Sequence, residues 1–168
     1  MASTPAGTST AMVSTVAELP NDTSVIVRGA ATGLAQEISV RSHRLHGDEP
    51  TASGGTDTGP SPYDLLLAAL GTCTSMTVAM YARRKQWPLE WVTVRLRHAK
   101  VHATDCAECE SKDTMLDLIE REIDLEGALS EEQRARLLAI ANRCPVHRTL
   151  TSEVVIETRL SVSGRQPT

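Results

Sequence analysis

The chain of 168 residues contains no phenylalanine and only two tryptophans and two tyrosines. With so few aromatic rings, the hydrophobic core must be aliphatic, and nucleic-acid bases find no platform on which to stack. The net charge of -4 also provides no basic surface for nucleic acid or for anionic lipid. We therefore expect neither nucleic acid nor a membrane among the partners.

Basic residues are missing from the N-terminal stretch, where the first one is Arg28. A secretory signal peptide begins with a positively charged region, so we expect no such signal and a cytoplasmic location. Residues 1–20 are rich in alanine, serine and threonine and show no apolar periodicity, which predicts a disordered tail. The remaining residues, 21–168, have the length of a single domain with its own core.

The longest uncharged stretch runs from Leu65 to Ala82, and Cys73 lies in its middle. Ser61 and Asp64 form the pattern of a capping box just before it. Because apolar residues surround this helix instead of forming one stripe, we expect a helix over 61–87 that is buried on all sides. The stretch is also long enough to span a membrane. The hydroxyl residues around the cysteine and the soluble composition of the chain favour a core helix instead.

Alternation of apolar and polar residues predicts β-strands elsewhere in the chain. Residues 23–30 and 34–41 read as a hairpin, and 90–103 and 153–162 as two further strands. Residues 115–126 fit a strand or a helix, and we favour a strand because a glycine ends the pattern quickly.

Two further segments are defined by their polar residues. Ser130 and Gln133 form a second capping box, which predicts a helix over 130–143. Residues 47–60 are rich in glycine, proline and threonine, and loops of this length are usually functional or disordered.

Four cysteines are present, at positions 73, 106, 109 and 144. In a reducing compartment such thiols are more often catalytic or metal-binding than paired in structural disulfides. His98, His102, Cys106 and Cys109 suit tetrahedral zinc by residue type and by the Cys-x-x-Cys spacing. On an extended strand the two histidines lie about 13 Å apart, so one ion would need the strand to bend. A redox pair and a polar turn with incidental thiols are the alternatives at this cluster.

Two segments together resemble the OsmC/Ohr family of thiol-dependent hydroperoxide reductases. The first segment, GPSPYDLLLAALGTCTSM, contains the proline-rich residues before the long helix and the part of that helix that carries Cys73. The second, ANRCPVHRTL, contains Cys144 and is followed by the last predicted strand. The resemblance covers about residues 23–162. It is closest to the OsmC-like branch whose members carry a Cys-x-x-Cys between the two motifs.

The resemblance implies an α+β fold in which two long central helices pack against β-sheets within an intertwined homodimer. It also implies that Cys73 attacks an organic hydroperoxide and becomes a sulfenic acid, which Cys144 resolves as a disulfide. A dithiol, either a lipoylated protein or thioredoxin, would then reduce that disulfide. No organic cofactor is required, because sulfur carries the electrons.

A cation must stabilise the Cys73 thiolate, because the helix dipole does not reach the middle of a helix. The best-known family members use an arginine of the N-terminal hairpin, oriented by a glutamate near the start of the central helix. Here the hairpin segment AATGLAQEI contains no arginine, and Tyr63 stands at the glutamate position. The candidates to replace this pair are three arginines and two carboxylates, namely Arg28, Arg44 and Arg143 with Asp64 or Glu49.

Other interpretations remain open at this stage. Cys144 precedes a proline, so it is either extended or the N-cap of a short helix. Both Cys73 and Cys144 also fit the description of small buried hydrophobic residues. Two alternative functions are a non-enzymatic OsmC-like module that binds a small hydrophobic ligand in the interface pocket, and a zinc-dependent redox sensor built on residues 98–109.

Overall fold

A computed structural model describes residues 24–102 and 115–160 of the chain. These residues form two compact units that divide between Gly59 and Pro60. The described part of the first unit contains three strands and a short 3-10 turn, and that of the second contains two strands and three α-helices. This mixture confirms the expected α+β class. The predicted disordered tail over 1–20 lies outside the described residues.

The first unit is built on a three-stranded antiparallel sheet. Strand β1 (Val25–Gly29) pairs with β2 (Gln36–Val40), which confirms the predicted hairpin. Strand β3 (His43–Gly47) pairs with β2 and gives the order β1-β2-β3. The sequence analysis missed β3 because its residues, HRLHG, contain a single large apolar side chain and show no alternation.

The long loop after β3 is ordered by one buried carboxylate. Asp48 is 2 % exposed and accepts hydrogen bonds from the hydroxyls and backbone N–H groups of Thr56 and Thr58, at 2.6–3.2 Å, and from the N–H of Glu49. The hydroxyl of Thr56 and then these N–H donors hold the pKa of Asp48 well below its usual range, although burial opposes them. Of the two expectations for 47–60, disorder is therefore wrong.

The second unit begins with the long helix α1 (Pro62–Arg84). The Ser61 hydroxyl accepts the N–H of Asp64 while the Asp64 carboxylate accepts the N–H of Ser61, which confirms the capping box. At the other end, Arg83 and Arg84 place positive charge beside the negative end of the helix dipole.

One face of α1 carries the core of this unit. Val78 and Ala82 pack with Leu125, Leu137 and Ala141 in a buried aliphatic cluster. As expected from the composition, the cluster contains no aromatic residue; Tyr81 and Trp87 pack at its edge.

The opposite face of α1 is open. The side chains of Met76 and Met80 are 61 % and 62 % exposed. The prediction of a helix buried on all sides is therefore wrong for a single chain, because the described residues of the second unit cover only part of the helix surface. Helix α1 is also long enough and apolar enough to cross a membrane. Core helices of soluble proteins meet the same two criteria of length and hydropathy.

A long two-stranded antiparallel ribbon packs beside α1. Strand β4 (Leu89–His102) pairs with β5 (Met115–Gly127), with Val94 opposite Ile123, which confirms both strands. Gly127 ends β5 at a φ of 130°, and a Cβ there would lie 2.1 Å from the carbonyl oxygen of Pro88. Glycine is therefore the residue that this close approach requires.

Two shorter helices complete the described unit. Helix α2 (Glu131–Ala141) starts at the predicted capping box of Ser130 and Gln133, and it ends two residues earlier than expected. Helix α3 (Pro145–Leu150) follows after a short turn.

The last predicted strand, 153–162, does not form over the residues that the structure describes. Residues 153–160 have no regular structure and are exposed, with Val155 at 79 % and Ile156 at 84 %. A strand needs a neighbour for its backbone hydrogen bonds, and no strand of the described chain pairs with this segment. The segment therefore has the apolar–polar alternation of a β-strand, but the described chain offers no neighbouring strand for it to pair with.

Candidate active site

The two cysteines that the sequence singles out lie side by side. Cys73 is half-buried in the middle of α1, and Cys144 is completely buried at the N-cap of α3. Cys144 has φ −58° and ψ 134°, so it is both extended and an N-cap, and its sulfur accepts the N–H of His147 at 3.3 Å. The side chains of the two cysteines are in hydrogen-bond contact with each other, and both are free thiols.

Arg121 of β5 hydrogen-bonds to the residues next to this pair. The Arg121 guanidinium donates to the Thr74 hydroxyl at 3.0 Å and to the side-chain oxygen of Asn142 at 2.6 Å. A longer contact of 3.5 Å reaches the carbonyl oxygen of Ala141. Arg121 therefore ties α1, next to Cys73, to the end of α2, just before Cys144.

The buried hydroxyl of Thr74 connects this arginine to sulfur. Thr74 is fully buried, and besides accepting from Arg121 its side chain hydrogen-bonds to the sulfur of Cys144. The result is a continuous row of contacts from Arg121 through Thr74 and Cys144 to Cys73.

The surroundings shift the pKa values of the two thiols in opposite directions. Burial raises the pKa of Cys73, and its contact with Cys144 adds to that rise against the opposing effects of the Val146 N–H and the Thr77 hydroxyl. Burial also works to raise the pKa of Cys144, but hydrogen bonds from the His147 N–H, Cys73, Thr74 and the Val146 N–H together lower it. Cys144 is thus the more acidic member of the pair.

Arg121 was missed by the sequence analysis, although a signal for it exists. Side chains two apart on a strand share a face, so Arg121 lies on the same face of β5 as the apolar residues Ile119, Ile123 and Leu125. A charged residue at an inward-facing position of an apolar series indicates a buried polar partner.

The other candidate residues are engaged elsewhere or belong to the first unit. Asp64 is occupied with the cap of α1, where its hydrogen bonds to the hydroxyl and N–H of Ser61 lower its pKa. Arg143 is exposed, and its charge acts on the hydroxyl of Tyr81. The remaining three lie on β1, on β3 and in the loop after it: Arg28, Arg44 and Glu49.

The proposed zinc cluster is only partly described. His98 and His102 lie on the same face of β4, and the His98 ring bonds the carboxylate of Asp117 at 2.8 Å and stacks on Tyr63 at 4.2 Å. Cys106 and Cys109 lie outside the described residues. Within 24–102 and 115–160, no group of three or more His, Cys, Asp or Glu side chains is placed to hold a metal ion.

A groove of about 410 Å³ opens at Arg121 and His147, which contact Thr74 and the Cys144 sulfur. Its apolar wall comes from one residue each of α1, β5 and α3, and its polar wall includes the guanidinium that contacts Thr74. These lining residues are Leu70, Ile119 and Leu150 on the apolar side and Asp117, Arg121, His147 and Thr151 on the polar side. Neither sulfur lines the groove, so the arrangement can hold an apolar group next to the residues that contact Thr74 and Cys144.

Comparison with known proteins identifies the family of this chain. Solved structures that match include an osmotic stress induced and detoxification response protein from Psychrobacter arcticus, with 17 % identity, coverage of 79 % of this chain and 90 % of that one, and a TM-score of 0.62. An OsmC-like protein from Mycoplasma pneumoniae matches with 16 % identity, coverage of 79 % and 89 %, and a TM-score of 0.61. The organic hydroperoxide resistance protein OhrB of Bacillus subtilis matches with 18 % identity, coverage of 76 % and 89 %, and a TM-score of 0.54.

At these identities the structural likeness establishes the fold. No curated protein sequence gives a significant match. The family model for OsmC-like proteins matches residues 55–159, which include the long helix and both cysteines of the pair. This chain therefore belongs to the OsmC-like protein family.

Proposed function

We propose that the protein is a thiol-dependent peroxidase that reduces organic hydroperoxides through Cys73 and Cys144. The observation that carries the proposal is the contact between the two thiols, one half-buried on α1 and the other at the N-cap of α3. Family membership and the hydroperoxide resistance proteins among its structural neighbours support the same chemistry.

The reaction needs only the two thiols and an external dithiol. Cys73, as thiolate, attacks the terminal oxygen of the hydroperoxide, the O–O bond breaks, and an alcohol leaves while Cys73 becomes a sulfenic acid. Cys144 then attacks the Cys73 sulfur, a disulfide forms and water leaves. A dithiol reductant restores both thiols by exchange. Because α1 and α3 hold the two side chains next to each other, the second step joins groups that are already neighbours.

The groove beside the pair favours an organic peroxide over hydrogen peroxide. Its apolar side chains, Leu70, Ile119 and Leu150, would cover a hydrocarbon group. Cys73 is the member of the pair that is partly exposed, so it is the sulfur that a bound peroxide can reach.

We infer a homodimer as the functional unit. The open face of α1, with Met76 and Met80 largely exposed, is a surface that isolated soluble chains rarely leave uncovered. The alternating segment over 153–160 has no strand partner among the residues that the structure describes. A second copy would supply a cover for the helix and a neighbour for this segment.

A specific observation also supports binding of a small hydrophobic ligand as a second candidate function. A groove of about 550 Å³ runs between α1 and β4, lined largely by small and apolar residues such as Leu67, Ala68, Gly71 and Val94. It follows the open face of α1, where the second copy would lie.

Peroxide consumption by cysteine variants tests the two functions against each other. The reduced protein, with dithiothreitol present, should consume cumene hydroperoxide faster than hydrogen peroxide. Cys73→Ser should abolish consumption, whereas Cys144→Ser, assayed without dithiothreitol, should permit at most one slower turnover and leave a sulfenic acid that dimedone traps. Cys106→Ser is the matched control and should retain activity. Equal consumption by wild type and Cys73→Ser would contradict the peroxidase and leave the ligand-binding candidate.

A further inference from the structure

The position of the hydrogen atoms around Thr74 follows from donor and acceptor chemistry. A guanidinium only donates hydrogen bonds, so the Thr74 hydroxyl must accept from Arg121. A hydroxyl has one hydrogen to give, and in the fully buried Thr74 side chain its remaining partner is the Cys144 sulfur. The hydroxyl therefore donates to Cys144, and the positive guanidinium behind it strengthens that donation.

Cys73 receives less support from its neighbours. The Thr77 hydroxyl donates to the carbonyl oxygen of Cys73 at 2.7 Å, so the hydrogen bond by which it also lowers the pKa of the Cys73 sulfur has to share that one hydrogen. The Val146 N–H bonds to both sulfurs and lowers the pKa of Cys73 as its main opposing effect, whereas for Cys144 it is the smallest of several donors. Cys144 alone also has the His147 N–H at 3.3 Å. Fixed donors thus converge on Cys144.

We propose that Cys144, not Cys73, is the thiolate of the resting reduced protein, held in that state by Thr74 and Arg121, and that it takes the thiol proton of Cys73 when peroxide binds. The second half of this proposal rests on the peroxidase function proposed above. Thr74 and Arg121 are then positioning residues, and Cys144 has two roles, as base and as resolving nucleophile.

The reaction steps balance in protons and electrons when they start from one thiolate, Cys144, and one thiol, Cys73. Cys144 takes the proton of Cys73, and the Cys73 thiolate attacks the terminal oxygen of the hydroperoxide. The O–O bond breaks, Cys73 becomes a sulfenic acid, and the departing alkoxide takes the same proton back from Cys144 as it leaves as alcohol. The Cys144 thiolate then attacks the Cys73 sulfur, the disulfide forms and hydroxide leaves. One proton on the pair serves the whole cycle.

Several charged or titratable groups face the pair from the packed elements. Helix α1 contributes Cys73 itself, β5 contributes Arg121 through Thr74, and α3 contributes the N–H of His147, while Asp117 and His147 also line the adjacent groove. Asp117 is occupied by the His98 ring at 2.8 Å. The end of α2 contributes the carbonyl oxygen of Ala141 and the side chain of Asn142, which hold Arg121 in place.

Carbon-13 NMR of protein labelled at the cysteine Cβ measures the ionisation of each thiol separately, whether or not it is accessible. In the reduced wild type, the Cys144 signal should titrate at lower pH than the Cys73 signal, with single Cys→Ser variants providing the assignments. Thr74→Val removes one hydrogen bond to a charged sulfur and should raise the Cys144 midpoint by about 1 pH unit. Thr74→Ser keeps the hydroxyl and should restore the wild-type midpoint.

Two further variants keep the test decisive. Thr77→Val is the matched control, because its hydroxyl acts on the carbonyl and sulfur of Cys73 and not on Cys144, so the Cys144 midpoint should not move. If Thr74→Val does not fold, Arg121→Met should still raise the Cys144 midpoint through the loss of the guanidinium. Titration of Cys73 before Cys144, or a Cys144 midpoint unchanged in both Thr74→Val and Arg121→Met, would overturn the proposal.

The rate of peroxide reduction tests the second half. If Cys144 is the base, the rate of Cys73 oxidation should rise with pH along the Cys144 titration and should shift to higher pH in Thr74→Val. A rate that follows the Cys73 titration would overturn the proton transfer. If the predicted order of ionisation is observed and no peroxide is consumed, the peroxidase function fails while the assignment of the thiolate stands, so the two failures are distinguishable.

Discussion

Replacement of Arg121 by methionine tests whether this arginine holds the site together. Arg121→Met keeps a long apolar side chain on β5 and removes the guanidinium that joins Thr74 of α1 to Asn142 after α2. The bond to the buried hydroxyl should contribute about 1.5 kcal/mol and the exposed bond to Asn142 about 0.5 kcal/mol. At 3.5 Å the contact with the Ala141 carbonyl adds little. We therefore expect the free energy of unfolding to fall by about 2 kcal/mol.

Urea denaturation followed by circular dichroism measures this loss, and Arg97→Met on the neighbouring strand is the matched control. The Arg97 side chain is 82 % exposed and makes one ion pair of 3.4 Å with Glu120. Surface pairs of this kind contribute about 0–1 kcal/mol, so this variant should be close to wild type. In a double-mutant cycle, Arg121→Met and Thr74→Val should show a coupling of about 1 kcal/mol. Equal losses in the two arginine variants, or additive behaviour in the cycle, would refute the reasoning.

Three other predictions concern the core, the loop and the open helix face. Leu137→Ala removes a fully buried side chain and should reduce the free energy of unfolding by about 3 kcal/mol, whereas its exposed neighbour Leu138→Ala should change it by less than about 0.5 kcal/mol, both measured by urea denaturation. Because folding lowers the pKa of Asp48 from its ordinary value of 3.8, its stabilisation is present above that pH and is lost as the pH falls below it. The stability difference between wild type and Asp48→Asn should therefore be greatest at neutral pH and shrink in acid; a pH-independent difference would contradict this account. Met80→Glu places a charge on the open face of α1 and should lower the dimer fraction in sedimentation equilibrium without unfolding the chain.

Local signals in the sequence were enough to predict most of the elements. The two capping boxes, at Ser61 and Ser130, specify helix starts through hydrogen bonds between residues three apart, so no tertiary information is needed. The β4–β5 ribbon was predictable because apolar residues alternate with polar ones along part of each strand, as at Val92, Val94 and Leu96 of β4. By contrast β3 forms because β2 offers it hydrogen bonds, and its own residues carry no pattern.

Of the candidate site, only the two cysteines could be predicted from the sequence. Cys73 and Cys144 stand in recognisable motifs, but Arg121 reaches Thr74 from a strand far away in the chain, and its role depends on how α1, α2 and β5 pack. The strand expected over 153–162 shows the opposite case. Its alternation is real, and whether it pairs depends on a neighbour that its own described chain does not provide.

The most direct test of the central claim is stoichiometric. Reduced protein is mixed with one equivalent of cumene hydroperoxide, and free thiols, intact mass and a peptide map are followed together. Our account predicts the rapid loss of two thiols per chain, a mass lower by two hydrogen atoms, and a single new linkage between Cys73 and Cys144. If all thiols remained free over minutes, or if the linkage formed elsewhere, the two-cysteine peroxidase would be contradicted.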